Sequence, residues 1–183
     1  MTNIIVNYAD SLFAETFDYS GRDYWSVASG EWQVANGVYQ QMLDDTGGKI
    51  MYTDGTDWTD YTYEADVEVL KAEARKEWCS GIFFRGDTTC TNTYAFRFNT
   101  NSMLEVCKWD NGVFYSIDKW EFESEPGSIY RMKVEAKGNH FTFYVNDEKV
   151  NEIVDDTHKR GSVGLYTFYL PARFDNLLVR EIK

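Results

Sequence analysis

Hydrophobic and polar residues alternate with a period of two along much of this chain. In residues 61–70 (YTYEADVEVL), aromatic and aliphatic side chains occupy one set of alternate positions, and Thr62, Glu64, Asp66 and Glu68 occupy the other. Because successive side chains of a strand point to opposite faces, this pattern predicts a half-buried β-strand. The same pattern predicts strands at residues 94–99, 104–109, 130–136 and 140–145.

Turn-forming residues separate these segments, which predicts hairpins and therefore antiparallel sheets. The turn signals are Asn36-Gly37, Gly47-Gly48, Asp54-Gly55, Asp110-Asn111-Gly112, Lys137-Gly138-Asn139 and Asn146-Asp147. Only residues 69–78 (VLKAEARKEW) have a helical pattern, and charges surround it on all sides. We expect a loop with at most one helical turn there.

The chain has 183 residues, which is enough for one sizeable core and short for two domains. We therefore expect one domain over residues 1–183. A dozen or so short strands exceed the number in an immunoglobulin sandwich of about 100 residues. The predicted fold class is all-β, as a jelly-roll sandwich of two antiparallel sheets. Aromatic residues make up 17% of the chain, enough to fill a wide β core, line a sugar site, or both.

Charge and hydropathy exclude several classes of function. Asp and Glu number 30 against 18 Lys and Arg, so the formal charge is -12 and nucleic acid is an unlikely partner by long-range repulsion. No apolar run approaches the roughly 20 residues that span a bilayer, and the first residues do not resemble a signal peptide. Cys79, Cys90 and Cys107 fit either one disulfide plus a free thiol or three buried thiols.

Five patches of the chain together resemble a known superfamily. They are FAETFDYSGRDYWSVASGEWQVANGVYQQ, GIFFRGD, TYAFRFN, YRMKVEAKGNHFTFYVNDEKV and GSVGLYTFYLPARFDNLLV. The chain is similar to concanavalin A-like jelly rolls, and in particular to the laminin-G-like domains that include family 66 carbohydrate-binding modules. The resemblance implies a non-catalytic module of a secreted, glycan-degrading system that binds a terminal sugar or short oligosaccharide, a fructan among the candidates.

The candidate sugar site is centred on Arg85 and Asp87, which end the apolar segment Gly-Ile-Phe-Phe. A planar guanidinium beside a carboxylate can bind paired hydroxyl groups. In the related modules the matching Phe-Arg reaches the ligand, and a tryptophan that stacks on sugar often replaces Phe168. The remaining candidates around this site are Glu77, Trp78, Tyr94, Tyr166 and Tyr169.

The resemblance also implies a structural calcium ion between the two ends of the chain. Asp18 and Asp175 match the terminal acids of that arrangement, and Glu15 is a further candidate ligand. Calcium prefers several carboxylate and carbonyl oxygens, and no contiguous calcium-binding loop occurs in the sequence.

Two other functions compete with sugar binding. The Glu64-Ala65-Asp66-Val67-Glu68 strand resembles the catalytic strand of family 16 glucanases, which share this sandwich. In that reading Glu64 is the nucleophile, Asp66 an orienting carboxylate and Glu68 the general acid/base. The flanking residues instead match an ordinary strand of the binding modules. The third function is protein interaction of the laminin-G type, and the oligomeric state stays open.

Overall fold

The computed structural model describes residues 11–18, 24–43, 47–70, 78–99, 102–125 and 127–183. Within these ranges every regular element is a β-strand, and no helix is long and apolar enough to cross a bilayer. The strands are β1 (Ser11–Glu15), β2 (Trp25–Ser29), β3 (Trp32–Ala35), β4 (Val38–Gln41), β5 (Gly47–Tyr52), β6 (Tyr61–Val69), β7 (Cys79–Gly86), β8 (Thr93–Asn99), β9 (Met103–Asp110), β10 (Val113–Glu121), β11 (Ile129–Lys137), β12 (His140–Val145), β13 (Glu148–Val154), β14 (Ser162–Phe168) and β15 (Ala172–Glu181).

The strands form two antiparallel sheets, which confirms the predicted all-β jelly roll. Sheet I has the order β13-β12-β11-β6-β15-β4-β3, with β1 paired to β15. Sheet II has the order β10-β9-β8-β7-β14-β5-β2. Strands β6 and β15 pair in sheet I although they are far apart in sequence. Between them the chain crosses to sheet II and back, and such crossovers build the sandwich.

The main core lies between the inner faces of the two sheets. From sheet I, Tyr63 and Phe143 are fully buried, and from sheet II, Phe84, Phe96 and Phe98 are fully buried. Each large apolar side chain removed from water contributes about 1.5–3 kcal/mol. The predicted period of two on β6 is confirmed, because Tyr61, Tyr63, Ala65 and Val67 are buried and the intervening polar residues are not.

Most predicted turns are confirmed, because Asn36, Asn111 and Asn146 have the positive φ angles that tight hairpins require. The predicted turn at Gly47-Gly48 is wrong, since both residues belong to β5. A Cβ on Gly48 would lie 2.5 Å from Cγ of Gln41, so glycine serves a close approach there. The predicted helical segment falls largely on residues 71–77, which lie outside the described residues.

A β-bulge near the end of β7 reverses the side chain of Arg85. Gly86 pairs with Ser162 and Phe83 with Gly164, so Phe84 and Arg85 together oppose one residue of β14. Arg85 has a φ of 48°. Simple alternation would have placed Arg85 beside Phe83 on the outer face, and the bulge directs it into the sandwich instead.

The guanidinium of Arg85 is a buried structural group. Its side chain is 1% exposed and lies over the Phe141 ring, 5.0 Å from the centroid. It donates to the carbonyl oxygens of Gly138 at 2.6 Å, Thr59 at 2.7 Å and His158 at 3.3 Å. These contacts contradict the prediction that Arg85 binds sugar hydroxyls, because its hydrogen bonds tie together three segments at one end of the core.

We expect Arg85→Met to destabilise the fold by about 2–4 kcal/mol, because it removes a buried guanidinium that donates to three carbonyl groups and pairs with Asp60. Urea unfolding measures the difference. Arg173→Met is the matched control, since Arg173 is exposed and its ion pair with Glu68, at 3.2 Å, contributes at most about 1 kcal/mol. Equal losses in the two variants would contradict a structural role for Arg85.

Candidate functional site

The outer face of sheet II carries a second buried cluster, which we call the outer cluster. Strands β7, β8 and β14 are buried along most of their length, so both of their faces are covered. The inner face belongs to the main core, and the outer face packs into this separate group. Its members are Met51, Cys79, Phe83, Cys90, Ala95, Cys107, Trp109 and Tyr166, with Phe168 against it.

One row of cross-strand partners crosses this face and mixes charged with aromatic side chains. The row, which we call the middle row, consists of Lys49, Tyr166, Gly81, Arg97, Glu105 and Lys119 on β5, β14, β7, β8, β9 and β10. Gly81 has no space for a side chain, because a Cβ there would lie 2.2 Å from the carbonyl oxygen of Phe96. Arg97 can therefore reach past this glycine toward β14.

Arg97 and Glu105 form a buried ion pair in the middle row. Arg97 Nε and Nη2 both donate to Oε2 of Glu105, at 3.0 and 2.6 Å. Arg97 Nη1 continues in the other direction, donating to Sγ of Cys79 at 3.2 Å and to the Tyr166 hydroxyl at 3.3 Å. The guanidinium also lies over the Phe114 ring. Arg97 thus links three strands and an aromatic side chain of the outer face.

Glu105 is fully buried and its carboxylate is saturated with donors. The Asn99 amide donates to Oε2 at 2.7 Å, and the Ser116 hydroxyl donates to Oε1 at 2.7 Å. The Lys119 ammonium lies 3.4 Å from Oε1. Burial alone would raise the pKa of Glu105, but Arg97 and these donors outweigh it and lower the pKa. The carboxylate stays ionised and fixed, so it positions its neighbours.

An aromatic pair lies at the edge of this polar row. Phe168 is two residues beyond Tyr166 on β14 and pairs with Cys79 of β7. The Phe168 and Tyr169 rings contact each other edge to face, with centroids 4.2 Å apart. Tyr169 is 42% exposed and has a φ of 51°. An apolar ring surface therefore lies open next to hydrogen-bonding groups, as sugar recognition requires.

Arg85 and Asp87 do not hold each other in place as expected, because no hydrogen bond or ion pair joins these two described residues. Asp87 instead holds its own loop, accepting hydrogen bonds from Thr89, Thr91 and Asn92. Burial alone would raise the pKa of Asp87, but these hydrogen bonds lower it. With six donors, the carboxylate has little capacity left for a ligand.

Tyr94 lies inside the main core, which contradicts its prediction as a ligand contact. Its ring stacks on Phe84, its hydroxyl donates to the Asp155 carboxylate, and it accepts from the His158 backbone. Trp78 is partly buried against the main core, and Glu77 lies outside the described residues. Among the predicted contacts, Phe168, Tyr169 and Tyr166 are therefore the ones that the structure brings together on one face.

The three cysteines are free and buried. Of the two predicted alternatives, the structure therefore has three buried thiols and not one disulfide with a free thiol. Burial raises the pKa of the Cys79 thiol to about 11 and that of Cys90 to about 12. Since the thiolate is the reactive form, these thiols are chemically inert packing groups of the outer cluster.

Asp18 and Asp175 do lie within reach of each other's charge. Burial raises the pKa of Asp175 to about 6, and the charges of Asp66 and Asp18 add to that shift. No group of three or more His, Cys, Asp or Glu residues in the described ranges could hold a metal ion. Glu15 already accepts from the backbone N–H groups of Thr16 and Phe17. Calcium binding at Asp18 and Asp175 stays a prediction.

The Glu64, Asp66 and Glu68 carboxylates lie on the outer face of sheet I, away from the aromatic pair. Glu64 pairs with both Arg131 and Arg180 at 3.2 Å, Asp66 with Arg131 at 3.0 Å, and Glu68 with Arg173 at 3.2 Å. Each of these carboxylates is thus already held by an arginine, whereas the nucleophile and the general acid of a glycoside-cleaving site must be free to contact the substrate. The geometry therefore favours a charged outer surface over a catalytic trio.

The middle-row residues Lys49, Arg97 and Glu105 were absent from the sequence-based candidates. A usable signal existed, because residues 93–99 and 103–110 are two strands joined by a short Thr-Asn-Ser link. Hairpin pairing across that link places Arg97 opposite Glu105. An opposite-charge pair in otherwise apolar strands predicts a buried polar network.

We expect Arg97→Met to cost about 3–5 kcal/mol of folding free energy, because it leaves the Glu105 carboxylate buried without its main partner. The double variant Arg97→Met/Glu105→Gln should recover part of that loss, since the uncompensated charge is gone. Urea unfolding of the single and double variants tests this coupling. Strictly additive losses would show that the two side chains do not stabilise each other.

Asp175→Asn should stabilise the fold at pH 7 by about 1–2 kcal/mol, a value discounted for partial solvent exposure. The raised pKa means that the folded state holds the proton between about pH 4 and 6, so this residue's contribution to stability falls as pH rises through that window. Below about pH 4 the variant and the parent should converge. Asp156→Asn, at an exposed acid, is the control, and an identical pH profile there would refute the assignment.

Comparisons with known proteins agree with this architecture. The levanase of Bacillus subtilis (strain 168) is 24% identical over 154 residues, which is 80% of this chain and 22% of the levanase. The chain therefore spans about a fifth of the length of that relative. The carbohydrate-binding module CBM66 from Bacillus subtilis superposes with a TM-score of 0.79 at 23% identity, over 86% of this chain and 96% of the module.

The Bacillus licheniformis beta-glucanase has the same fold, with a TM-score of 0.70 at 12% identity over 96% of this chain and all of that enzyme. The sequence resemblance to CBM66-type jelly rolls is thus confirmed. The family model for the 3-keto-alpha-glucoside-1,2-lyase-like domain matches residues 11–180, nearly the whole chain. The chain belongs to the 3-keto-alpha-glucoside-1,2-lyase-like domain family.

Proposed function

We propose that this chain is a non-catalytic carbohydrate-binding module whose site is the outer face of sheet II. The observation that carries the proposal is the aromatic pair beside the middle row, in which Phe168 is half-buried and Tyr169 is exposed. A sugar ring presents an apolar C–H face and a rim of hydroxyl groups, and this surface offers a partner for each.

In the proposed complex the sugar ring lies against Phe168 and Tyr169. Same-face residues two apart on a strand are about 6.6 Å apart, so Phe168 lies one position from the middle row. The Lys49 ammonium group and the Asn99 amide supply donors for the hydroxyl groups. The Arg97–Glu105 pair holds this row in place, and a preformed site lowers the entropic cost of binding.

The similarity to the carbohydrate-binding module CBM66 and to two Bacillus levanases supports this function. A single site of this kind is expected to bind weakly, since hydroxyl groups are well hydrated before binding. Linkage to a catalytic domain of a secreted enzyme would then raise the effective affinity through local concentration.

Catalysis receives less support from the same geometry. Glu105, the carboxylate of the middle row, is buried and bonded on both oxygens, so it cannot accept a further proton without breaking the network. Glu64, Asp66 and Glu68 are engaged by arginines on the other sheet. Neither set offers the poised acid and base of a glycoside-cleaving site.

Phe168→Ala should weaken binding of levan-derived fructo-oligosaccharides about fivefold or more, because the ring contributes roughly 1 kcal/mol of contact energy. Phe168→Trp should strengthen it, since a larger ring covers more of the sugar. Isothermal titration calorimetry measures both.

Tyr144→Ala is the matched control, because Tyr144 lies on β12 of sheet I and should leave affinity unchanged. If Tyr144→Ala weakens binding and Phe168→Ala does not, the site is on the other sheet. If a panel of oligosaccharides shows no binding to the parent chain, the proposed function is wrong.

A further inference from the structure

The middle row on the outer face of sheet II has a net positive charge, although the protein as a whole is strongly acidic. The middle row carries the cations Lys49, Arg97 and Lys119 against the one carboxylate of Glu105. The whole chain has a formal charge of -12. Two further acids, Asp87 in the β7–β8 loop and Glu121 at the end of β10, lie at opposite ends of this face.

The lysine at the β5 end of the row has no acidic partner among the residues that the structure describes. Arg97 and Lys119 share Glu105, but Lys49 makes no hydrogen bond or ion pair with any residue in the described ranges. Its ammonium lies over the Trp109 ring, 4.5 Å from the centroid, and 6.0 Å from the centroid of Tyr166. These ring contacts hold a cation partly out of water, a state that a bound anion would stabilise.

The position of Lys49 relative to the aromatic pair fits one kind of ligand. Lys49 pairs with Tyr166, and Gly47, two residues earlier on β5, pairs with Phe168. A Cβ on Gly47 would lie 3.3 Å from the Phe168 ring, so this glycine keeps the edge of the ring uncovered. Lys49 is therefore the lysine of the middle row nearest to a sugar stacked on Phe168, and a substituent of that sugar must extend past Tyr166 to reach the ammonium over Trp109.

We propose that the site selects sugars that carry an anionic group, a carboxylate or a sulfate, and that Lys49 is the residue that recognises this group. The inference rests on the proposed function, because it places a charged sugar on the same aromatic pair. Burial and the nearby Arg97 lower the pKa of Lys49, and a bound anion offsets that penalty by pairing with the charge.

Isothermal titration calorimetry with matched acidic and neutral ligands tests the inference on the intact chain. The probes are oligomers of galacturonate, glucuronate and mannuronate with their methyl esters, and sulfated dextran oligomers with plain dextran oligomers. At least one acidic probe should bind about tenfold tighter than its neutral counterpart, the effect of one charge-assisted contact. The carboxylate and sulfate series identify which anion the site prefers.

Lys49→Met should abolish the preference for the acidic probe while keeping the contact of the side chain with Trp109, and Lys49→Arg should retain it. Lys133→Met is the matched control, because Lys133 also lies over a ring, Tyr144 at 4.4 Å, on the opposite sheet. That variant should keep the preference of the parent chain.

Equal binding of every acidic probe and its neutral counterpart would overturn the inference, as would an unchanged preference in Lys49→Met. In both cases sensitivity of neutral-sugar binding to Phe168→Ala would leave the proposed function intact. Absence of binding by all acidic and neutral sugars, fructo-oligosaccharides included, would instead remove the proposed function and this inference together.

Discussion

The two-residue period of side chains along a strand decides what each face of sheet II contains. Alternate residues of β7, β8 and β9 enter the main core, and the residues between them build the outer cluster. When a strand is buried on both faces, each of its polar side chains needs hydrogen-bond or ion-pair partners among the neighbouring side chains. This constraint explains why Arg97 and Glu105 are directly opposite each other, and why Asn99, Ser116 and Lys119 surround the same carboxylate.

The sequence pattern was sufficient for the fold and most of its elements. Segments such as residues 61–70 and 140–145 have clear alternation, and hairpins at Asn36-Gly37 and Asn146-Asp147 have turn chemistry that only a few backbone conformations accept. Gly47-Gly48 was misassigned because a glycine pair signals either a turn or a close approach of neighbouring chains. The structure shows the second, at Gln41 and Thr167.

The candidate site was harder to predict because two of its features depend on how strands that are distant in sequence pair in the fold. One extra residue in β7 turns Arg85 from the outer face into the core, and no local pattern reveals that bulge. The middle row becomes visible only when the order of strands in sheet II is known, since Lys49 and Lys119 are brought to one row by crossovers. Phe168 was identified from family resemblance and Tyr169 as an aromatic residue next to it, and both lie beside that row.

In the proposed function one surface, the outer face of sheet II, is responsible for ligand binding. Backbone amide chemical shifts recorded during titration with a bound oligosaccharide locate that surface directly. The account predicts that the largest changes lie at Thr167, Phe168 and Tyr169 and at the adjoining residues of β5 and β8. Changes centred on Glu64, Asp66 and Glu68 of sheet I, with an unperturbed β14, would contradict it.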